Sequence, residues 1–218
     1  MPEAITVRDL HQHERPAFIA VMGEAFKHDP LFVAAFGAPD INQRVLPQTF
    51  LAFLFDMNRL LGGAPRGLFV DGRLTACALL EPPAAGPVVN GLRQIGVALR
   101  FLPLTFRMKW RSIAFFNRAM RLAAAVAPPA PHCYLRMIGV HPDGQGHGHG
   151  RRLMEDAIEH AQRDPRATGI ALDTENDANV ALYARWGFTL LASVDLGAAT
   201  VHCMFRPVQP HRPTKTGD

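Results

Sequence analysis

The chain has 218 residues, of which 48% are hydrophobic, and its formal net charge is +4. This hydrophobic content excludes an intrinsically disordered chain, and the length suits one domain with its own core. No uncharged apolar run reaches about 18 residues, and the N-terminus lacks the basic stretch and apolar core of a signal peptide. We therefore expect a cytoplasmic protein with a single domain over residues 1–206 and a mobile tail over residues 207–218.

The first part of the chain alternates between strand and helix patterns. In order, we predict a strand over residues 4–10, helices over 14–26 and 43–61, and a hairpin of strands over 66–70 and 73–81. Asp71-Gly72 supports the hairpin because it is a favoured two-residue turn, and Gly62-Gly63 ends the second helix. Cys77, Cys133 and Cys203 are odd in number and widely spaced, which predicts free buried thiols rather than disulfides.

Residues 84–132 predict two helices that are separated near Pro103. This segment carries basic residues and no acidic one: Arg93, Arg100, Arg107, Lys109, Arg111, Arg118 and Arg121. Aromatic residues lie between them, so the segment could bind an acidic substrate, an anionic membrane surface or a partner subunit. The alternative is a solvated face that covers the core.

Residues 134–163 predict a strand, a glycine-rich loop and a helix. The apolar run that ends at Val140 indicates a buried strand, and apolar residues recur at helical spacing from Leu153 onward. Between them, Gly146, Gly148 and Gly150 leave the backbone N–H groups at a helix N-terminus accessible, which suits a diphosphate. The spacing fits neither a dinucleotide-binding GxGxxG loop nor a Walker loop.

Two ordered motifs carry a family resemblance. The first is Gln-x-x-Gly-x-Gly at Gln145, Gly148 and Gly150, preceded by a strand and Val-x-Pro. The second is Asn-x-x-x-Tyr-x-x-x-Gly-Phe, which runs from Asn179 through Tyr183 to Phe188. With these motifs the chain resembles the GNAT superfamily of acetyl-CoA-dependent N-acetyltransferases. The segment 84–132 makes it most similar to the branch that contains puromycin-type N-acetyltransferases.

This resemblance implies an α/β fold with a central mixed sheet of six to seven strands, flanked by helices and carrying a helical insert before the cofactor strand. Residues 169–172 are then expected to form a strand parallel to the cofactor strand, connected to it through the helix. Residues 188–194 and 200–205 are expected to form a closing antiparallel pair.

The resemblance also implies transfer of an acetyl group from acetyl-CoA to a primary amine of a small molecule or peptide, by direct attack in a ternary complex. The residues that it assigns to the cofactor are Ile138, Gly139, Val140, Gln145, Gly146, His147, Gly148, His149, Gly150, Arg151, Asn179 and Tyr183. Tyr183 falls on the position of the general acid, and a phenol with a pKa near 10 stays protonated at neutral pH. The residues that could face the acceptor are Glu24, His28, Asp29, Phe32 and Glu175.

Several alternatives stay open at this point. The general base could be Glu81, His132 or Glu175, or a chain of water molecules. A non-catalytic acyl-CoA sensor would keep the glycine loop but would not require Tyr183. A metal-binding module could use His141, His147 and His149, but no carboxylate or thiol completes the set, so we expect no metal. We also expect no nucleic-acid partner.

Overall fold

A computed structural model describes residues 3–36, 45–106, 110–197 and 199–208 of the chain. The strands are β1 (Ile5–Asp9), β2 (Arg66–Val70), β3 (Arg73–Glu81), β4 (Cys133–Val140), β5 (Gly169–Thr174), β6 (Thr189–Asp195) and β7 (Thr200–Pro207). The α-helices are α1 (Arg15–Ala25), α2 (Pro30–Phe36), α3 (Val45–Leu60), α4 (Pro87–Thr105), α5 (Trp110–Val126), α6 (His149–Arg163) and α7 (Asp177–Arg185). Among these residues no helix is long and apolar enough to cross a membrane.

The described strands form one seven-stranded sheet in the order β1-β2-β3-β4-β5-β7-β6. β4 and β5 pair in parallel, and the other neighbouring strands pair antiparallel. The segment from β4 through α6 to β5 is therefore a strand-helix-strand crossover, which parallel neighbours require. The predicted mixed sheet flanked by helices is confirmed.

Helices cover both faces of the sheet because each presents an apolar stripe. On one face, α6 buries Leu153, Met154 and Ala157, which lie at three- and four-residue spacing, against β2, β3, β4 and β5. On the other face, α1 and α3 bury Phe18 and Phe55 against β3 and β4. The sheet thus forms the middle of two hydrophobic cores.

The parallel strands β4 and β5 part near their carboxyl ends. Their ladder covers Cys133 to Leu135 and Ile170 to Leu172, but β4 continues to Val140 and β5 to Thr174. β4 stays paired with β3 up to Val140. One edge of β4 is therefore open toward the gap, at the sheet edge where α/β proteins commonly bind ligands.

A β-bulge at Arg136 changes which residues of β4 face each side. Met137 pairs with Leu79 whereas Leu135 pairs with Leu80, so Arg136 is the extra residue. Such a bulge re-aims the side chains around it. As a result Tyr134, Arg136 and Met137 all line the same cavity, although simple alternation would place Met137 on the opposite face.

The insert forms α4 and α5, as predicted, but the helix boundary differs. α4 continues past Pro103 to Thr105, so Pro103, which has no N–H to donate to the Leu99 carbonyl oxygen, lies inside the helix two residues before its end. Arg93 donates to the Leu61 carbonyl oxygen at 2.8 Å, and Arg100 pairs with Asp56 at 3.4 Å.

The basic residues of α4 thus turn toward α3, while its outward face is apolar. Val88, Leu92, Ile95 and Leu99 are exposed along that face. Arg118 and Arg121 of α5 are exposed, whereas Arg107, Lys109 and the side chain of Arg111 lie outside the described residues. Contact of the insert with a membrane or a partner subunit stays a prediction.

The expected start of the mobile tail was wrong by a short segment. Pro207 belongs to β7, and Val208 is buried in the core beside α6. The Val208 N–H donates to the Thr168 carbonyl oxygen at 3.0 Å, which extends the ordered chain beyond the predicted boundary. The rest of the predicted tail lies outside the described residues.

Candidate active site

The glycine loop joins β4 to α6 and needs its glycines for two reasons. Gly146 and Gly148 have φ values of 82° and 78°, a left-handed conformation that only glycine adopts without cost. A Cβ atom at either position would meet nothing within 4 Å, so the loop surface there is open. At Gly144 a Cβ atom would instead collide with Thr75.

The backbone of this loop presents a row of unpaired donors. None of the N–H groups from Gly146 to Arg151 has an acceptor in the described part of the chain, and the first helical bond runs from Arg152 to the Gly148 carbonyl oxygen at 3.1 Å. The positive end of the α6 dipole lies at the same place. The loop therefore has the donors and the field that bind a diphosphate.

On the other side of the gap, β5 leads into α7, which carries Asn179 and Tyr183. Asn176 caps this helix by accepting from the Ala178 N–H at 3.0 Å. Asn179 is held by a hydrogen bond from its Nδ2 to Thr174 Oγ1 at 3.2 Å. Tyr183 packs against Trp186 and Phe188, with ring centroids 5.7 and 6.0 Å away. Both Asn179 and Tyr183 line the cavity that borders the gap.

This cavity has a volume of about 320 Å³ and two unlike sides. Residues from β4, β5 and α7 form the polar side, together with Asp29 at the start of α2. The apolar side is formed mainly by phenylalanine and aliphatic side chains from α2, α3, α4 and α5, and it also includes the amides of Gln94 and Asn117. The helical insert therefore contributes a wall of the cavity.

Three carboxyl groups face the polar side, those of Asp29, Asp173 and Glu175. Burial, followed by the charges of Asp173 and Asp29, raises the pKa of Glu175 to about 8. Burial also raises the pKa of Asp29 and of Asp173. Burial and the nearby Glu175 raise the pKa of Tyr183 to about 12. The site therefore contains a carboxyl group that titrates near neutral pH and a phenol that stays protonated.

A buried polar network lies beneath these groups. Arg136 makes a two-pronged ion pair with Glu81, at 2.9 Å for each bond, and its guanidinium lies 4.4 Å from the ring centroid of Tyr134. The Tyr134 hydroxyl donates to Asp173. Arg136 is therefore paired with Glu81. Among the described lining residues no unpaired cation is left to neutralise the other carboxyl groups of the cavity.

The structure brings together only some of the predicted site residues. Asp29, Phe32, Glu175, Asn179, Tyr183 and Ile138 line one cavity. Glu81 is held by Arg136, and His132 lies against Phe205 with its Nδ1 2.8 Å from the Ala130 carbonyl oxygen. Neither of them lines the described cavity, so Glu175 is the one of the three candidate bases that does.

Two other expected acceptor contacts lie away from the cavity lining. Glu24 near the end of α1 pairs with Lys27 at 3.4 Å, where both are half-buried, and His28 is exposed. Gly139 lies against α1, where a Cβ atom would come within 2.9 Å of Phe26. Arg151 pairs with Glu155 along α6, and Val140 packs beside Gly150.

The three histidines near the loop line one small pocket, but most of their described interactions are local. Nδ1 of His141 accepts from the Asp143 N–H at 3.3 Å, and Nδ1 of His147 lies 2.9 Å from the Gln145 carbonyl oxygen. His149 is buried, and burial lowers its pKa. Within the described ranges no group of three His, Cys, Asp or Glu side chains has the arrangement of a metal site. The metal-binding alternative therefore has no support from the described geometry.

The gap between the parallel strands, beside a glycine loop at a helix N-terminus, is suited to a ligand that carries phosphate groups. The model of the Acetyltransferase (GNAT) family matches residues 64–188, more than half of the chain. The chain belongs to this family. It is an acyltransferase that transfers acetyl groups, with acetyl-CoA as cosubstrate.

Solved structures agree with this fold. A histone acetyltransferase HPA2 and related acetyltransferase from Corynebacterium glutamicum is 19% identical, with a TM-score of 0.68 over 97% of this chain and 99% of that chain. A Salmonella typhimurium protein solved with its cofactor acetyl-CoA is 19% identical, with a TM-score of 0.54 over 98% and 99%. The ribosomal-protein-S18-alanine N-acetyltransferase of Escherichia coli is 16% identical, with a TM-score of 0.54 over 97% and 98%.

Proposed function

We propose that this protein transfers the acetyl group of acetyl-CoA to a primary amine by direct attack within a ternary complex. The observation that carries the proposal is the meeting of three features at one place. These are the loop of unpaired N–H groups, the gap between β4 and β5, and the cavity lined by Glu175 and Tyr183. When bound, acetyl-CoA supplies a thioester carbonyl that is activated toward amines.

The cofactor fits the groups that surround the gap. The loop from Gln145 to Gly150, with Arg151, would hold the diphosphate, since its glycines leave open space above the N–H groups. The open edge of β4 from Ile138 to Val140 would bind the pantetheine arm, and its N–H groups would polarise the thioester carbonyl. One N–H of the Asn179 amide donates to Thr174, which orients the amide so that its oxygen would accept from the arm.

Glu175 is the base in this proposal. A primary amine with a pKa near that of lysine, about 10.4, is protonated at neutral pH and cannot attack. Transfer of its proton to an ordinary glutamate is unfavourable by about six pK units, whereas transfer to a carboxylate with a pKa of about 8 is unfavourable by only about two. The burial of Glu175 therefore makes it a stronger base without preventing its ionisation at mildly alkaline pH.

Tyr183 is the acid. Its raised pKa keeps the phenol protonated throughout the physiological range, so it donates a hydrogen bond to the sulfur as the carbon–sulfur bond breaks. A free thiol has a pKa of about 8.5, but burial raises that value, as it does for Cys133. A thiolate inside the gap is therefore a better proton acceptor than one in water.

Replacement of Gly148 with Val tests the cofactor site. A side chain at Gly148 would cover the unpaired N–H groups, so we expect calorimetry to show acetyl-CoA binding at least tenfold weaker. Gly72→Val is the matched control, because Gly72 has a φ of 81° and the same open surroundings but lies in the β2–β3 turn. Equal affinities in the two folded variants would refute the assigned cofactor site.

A thiol-release assay tests the reaction itself. The wild-type protein should release coenzyme A from acetyl-CoA only when a primary amine is present, since attack is direct, and mass spectrometry should find one added acetyl group on the amine. Release that begins before amine is added and leaves acetyl-protein would instead indicate a covalent intermediate and would contradict the ternary-complex proposal.

A further inference from the structure

The acceptor cavity combines an acidic side with an aromatic side, and this combination restricts its ligand. We propose that the acceptor is a compact hydrophobic primary amine, with one ammonium group and an aromatic or branched alkyl body. This inference rests on the proposed function, because it identifies the amine that would reach the same site.

The acidic side selects for a cation. Asp29, Asp173 and Glu175 face the cavity, and Arg136, the cation in its described lining, is already paired with Glu81. An entering ammonium group would gain charge-assisted hydrogen bonds there. The carboxylate of an amino acid would instead approach like charges in a site of low dielectric and would be repelled.

The opposite side is built from a continuous series of aromatic rings. Successive ring centroids lie 5.4 Å apart for Phe26 and Phe32, 6.0 Å for Phe32 and Phe50, 6.2 Å for Phe50 and Phe53, and 5.1 Å for Phe53 and Phe101. The series runs from the end of α1 to the insert helix α4. Offset and edge-to-face contacts of this kind suit an additional aromatic ring.

This apolar wall also selects against polar amines. The described residues of this wall include no carboxylate for the second ammonium group of a polyamine. The hydroxyl groups of an amino sugar would lose hydrogen bonds to water and would find only the amides of Gln94 and Asn117 there. A site that leaves such groups unpaired rejects the ligand strongly.

The size of the cavity also favours a small acceptor. Its volume of about 320 Å³ lies at the lower end of the range for small-molecule sites. Val97 and Phe101 of α4, with Ile113 and Met120 of α5, close the side opposite the strands. A small amine fits within this volume, whereas a peptide would have to leave most of its chain outside it.

The test compares primary amines that differ in charge, polarity and size. With saturating acetyl-CoA at pH 8, we expect kcat/KM for phenethylamine to exceed that for ethylamine by about 100-fold, because the added ring buries apolar surface. Phenylalanine, putrescine, glucosamine and a short peptide should each fall at least about 100-fold below phenethylamine. Phenylalanine adds a carboxylate to phenethylamine, ethylamine removes the ring, and the other compounds bring further polar or charged groups.

Variants locate the selectivity in the cavity. Phe101→Ala should lower kcat/KM for phenethylamine at least tenfold more than it lowers kcat/KM for ethylamine. Phe106→Ala is the matched control, since Phe106 is 83% exposed just beyond α4 and should change neither value. If Phe101→Ala does not fold, Val97→Phe serves instead, because added bulk in the cavity should exclude phenethylamine more than ethylamine.

The outcomes separate this inference from the proposed function. If the wild-type protein neither binds acetyl-CoA nor transfers its acetyl group, the proposed function is refuted. If the protein binds acetyl-CoA but prefers ethylamine, a polyamine, an amino acid or a peptide as acceptor, the hydrophobic-amine inference alone is overturned. The same holds if it binds acetyl-CoA but acetylates none of these amines. Equal selectivity in Phe101→Ala, Val97→Phe and wild type would also overturn it.

Discussion

The raised pKa of Glu175 predicts a distinctive pH dependence. With a pKa of about 8, Glu175 is about 1% ionised at pH 6, about one-tenth at pH 7 and half at pH 8. If the carboxylate is the base, kcat/KM should rise about 50-fold from pH 6 to pH 8. A glutamate with an ordinary pKa near 4.3 would give no rise over this range.

This rise of kcat/KM forms one limb of the pH profile. Variants that change the charge around Glu175 should move the limb to a different pH. Glu175→Gln should remove the limb and lower kcat/KM by about 10²–10⁴, the usual contribution of a general base. Asp29→Asn removes a like charge that raises the pKa of Glu175, so its limb should move to lower pH. Asn keeps an oxygen to accept from the Leu31 and Phe32 N–H groups that cap α2. Glu24→Gln, which changes a carboxylate outside the cavity, should leave the profile unchanged.

The assay must distinguish Glu175 from the titration of the amine. Thiol release at subsaturating amine should be followed from pH 5.5 to 10 with two amines whose pKa values differ but both exceed 8. The limb near pH 8 belongs to the free enzyme and should be the same for both amines. A limb that follows the pKa of the amine, or that persists in Glu175→Gln, would refute Glu175 as the base and would favour a chain of water molecules.

Two further predictions concern Tyr183 and His149. Tyr183→Phe keeps the packing against Trp186 and removes the donor, so single-turnover acetyl transfer should fall about 10²–10⁴-fold with acetyl-CoA affinity little changed; a wild-type rate in this variant would make Tyr183 a packing residue. Burial lowers the pKa of His149, so its contribution to stability is present above the unfolded pKa of about 6.5 and is lost as pH falls toward the folded value. Urea unfolding should therefore show that His149→Gln loses less stability between pH 7 and pH 5 than wild type or the control His28→Gln, which changes an exposed histidine, and equal losses in all three would contradict the assignment.

The parts of the site that depend on local sequence could be predicted. Gly148 and its neighbours are spaced for a particular loop at a helix N-terminus, and both the loop and the start of α6 lie where the spacing indicates. Tyr183 lies one turn after Asn179 on a predicted helix, so their common orientation also follows from local geometry. Such features require no knowledge of which segments meet in space.

Features that depend on distant contacts were missed. Tyr134, Arg136 and Asp173 are polar residues on buried strands, a signal that could have been noticed, but their grouping depends on the bulge in β4 and on the parallel register. The bulge has no clear mark in the sequence. Glu81 was a reasonable base from its place at a strand end, but its pairing with Arg136 appears only once β3 and β4 are aligned.

The insert connects the choice of substrate with the chemistry of the base. Phe101 and Ile113 close the apolar side of the cavity, and burial is the largest cause of the raised pKa of Glu175. Exclusion of water by the insert would therefore strengthen the base and, at the same time, favour an acceptor with a hydrophobic body. An acceptor that filled this side would remove the remaining water from around Glu175, whereas a small polar amine would leave it there. The same wall would then act on kcat as well as on KM, because a poorly fitting amine would meet a less desolvated and weaker base.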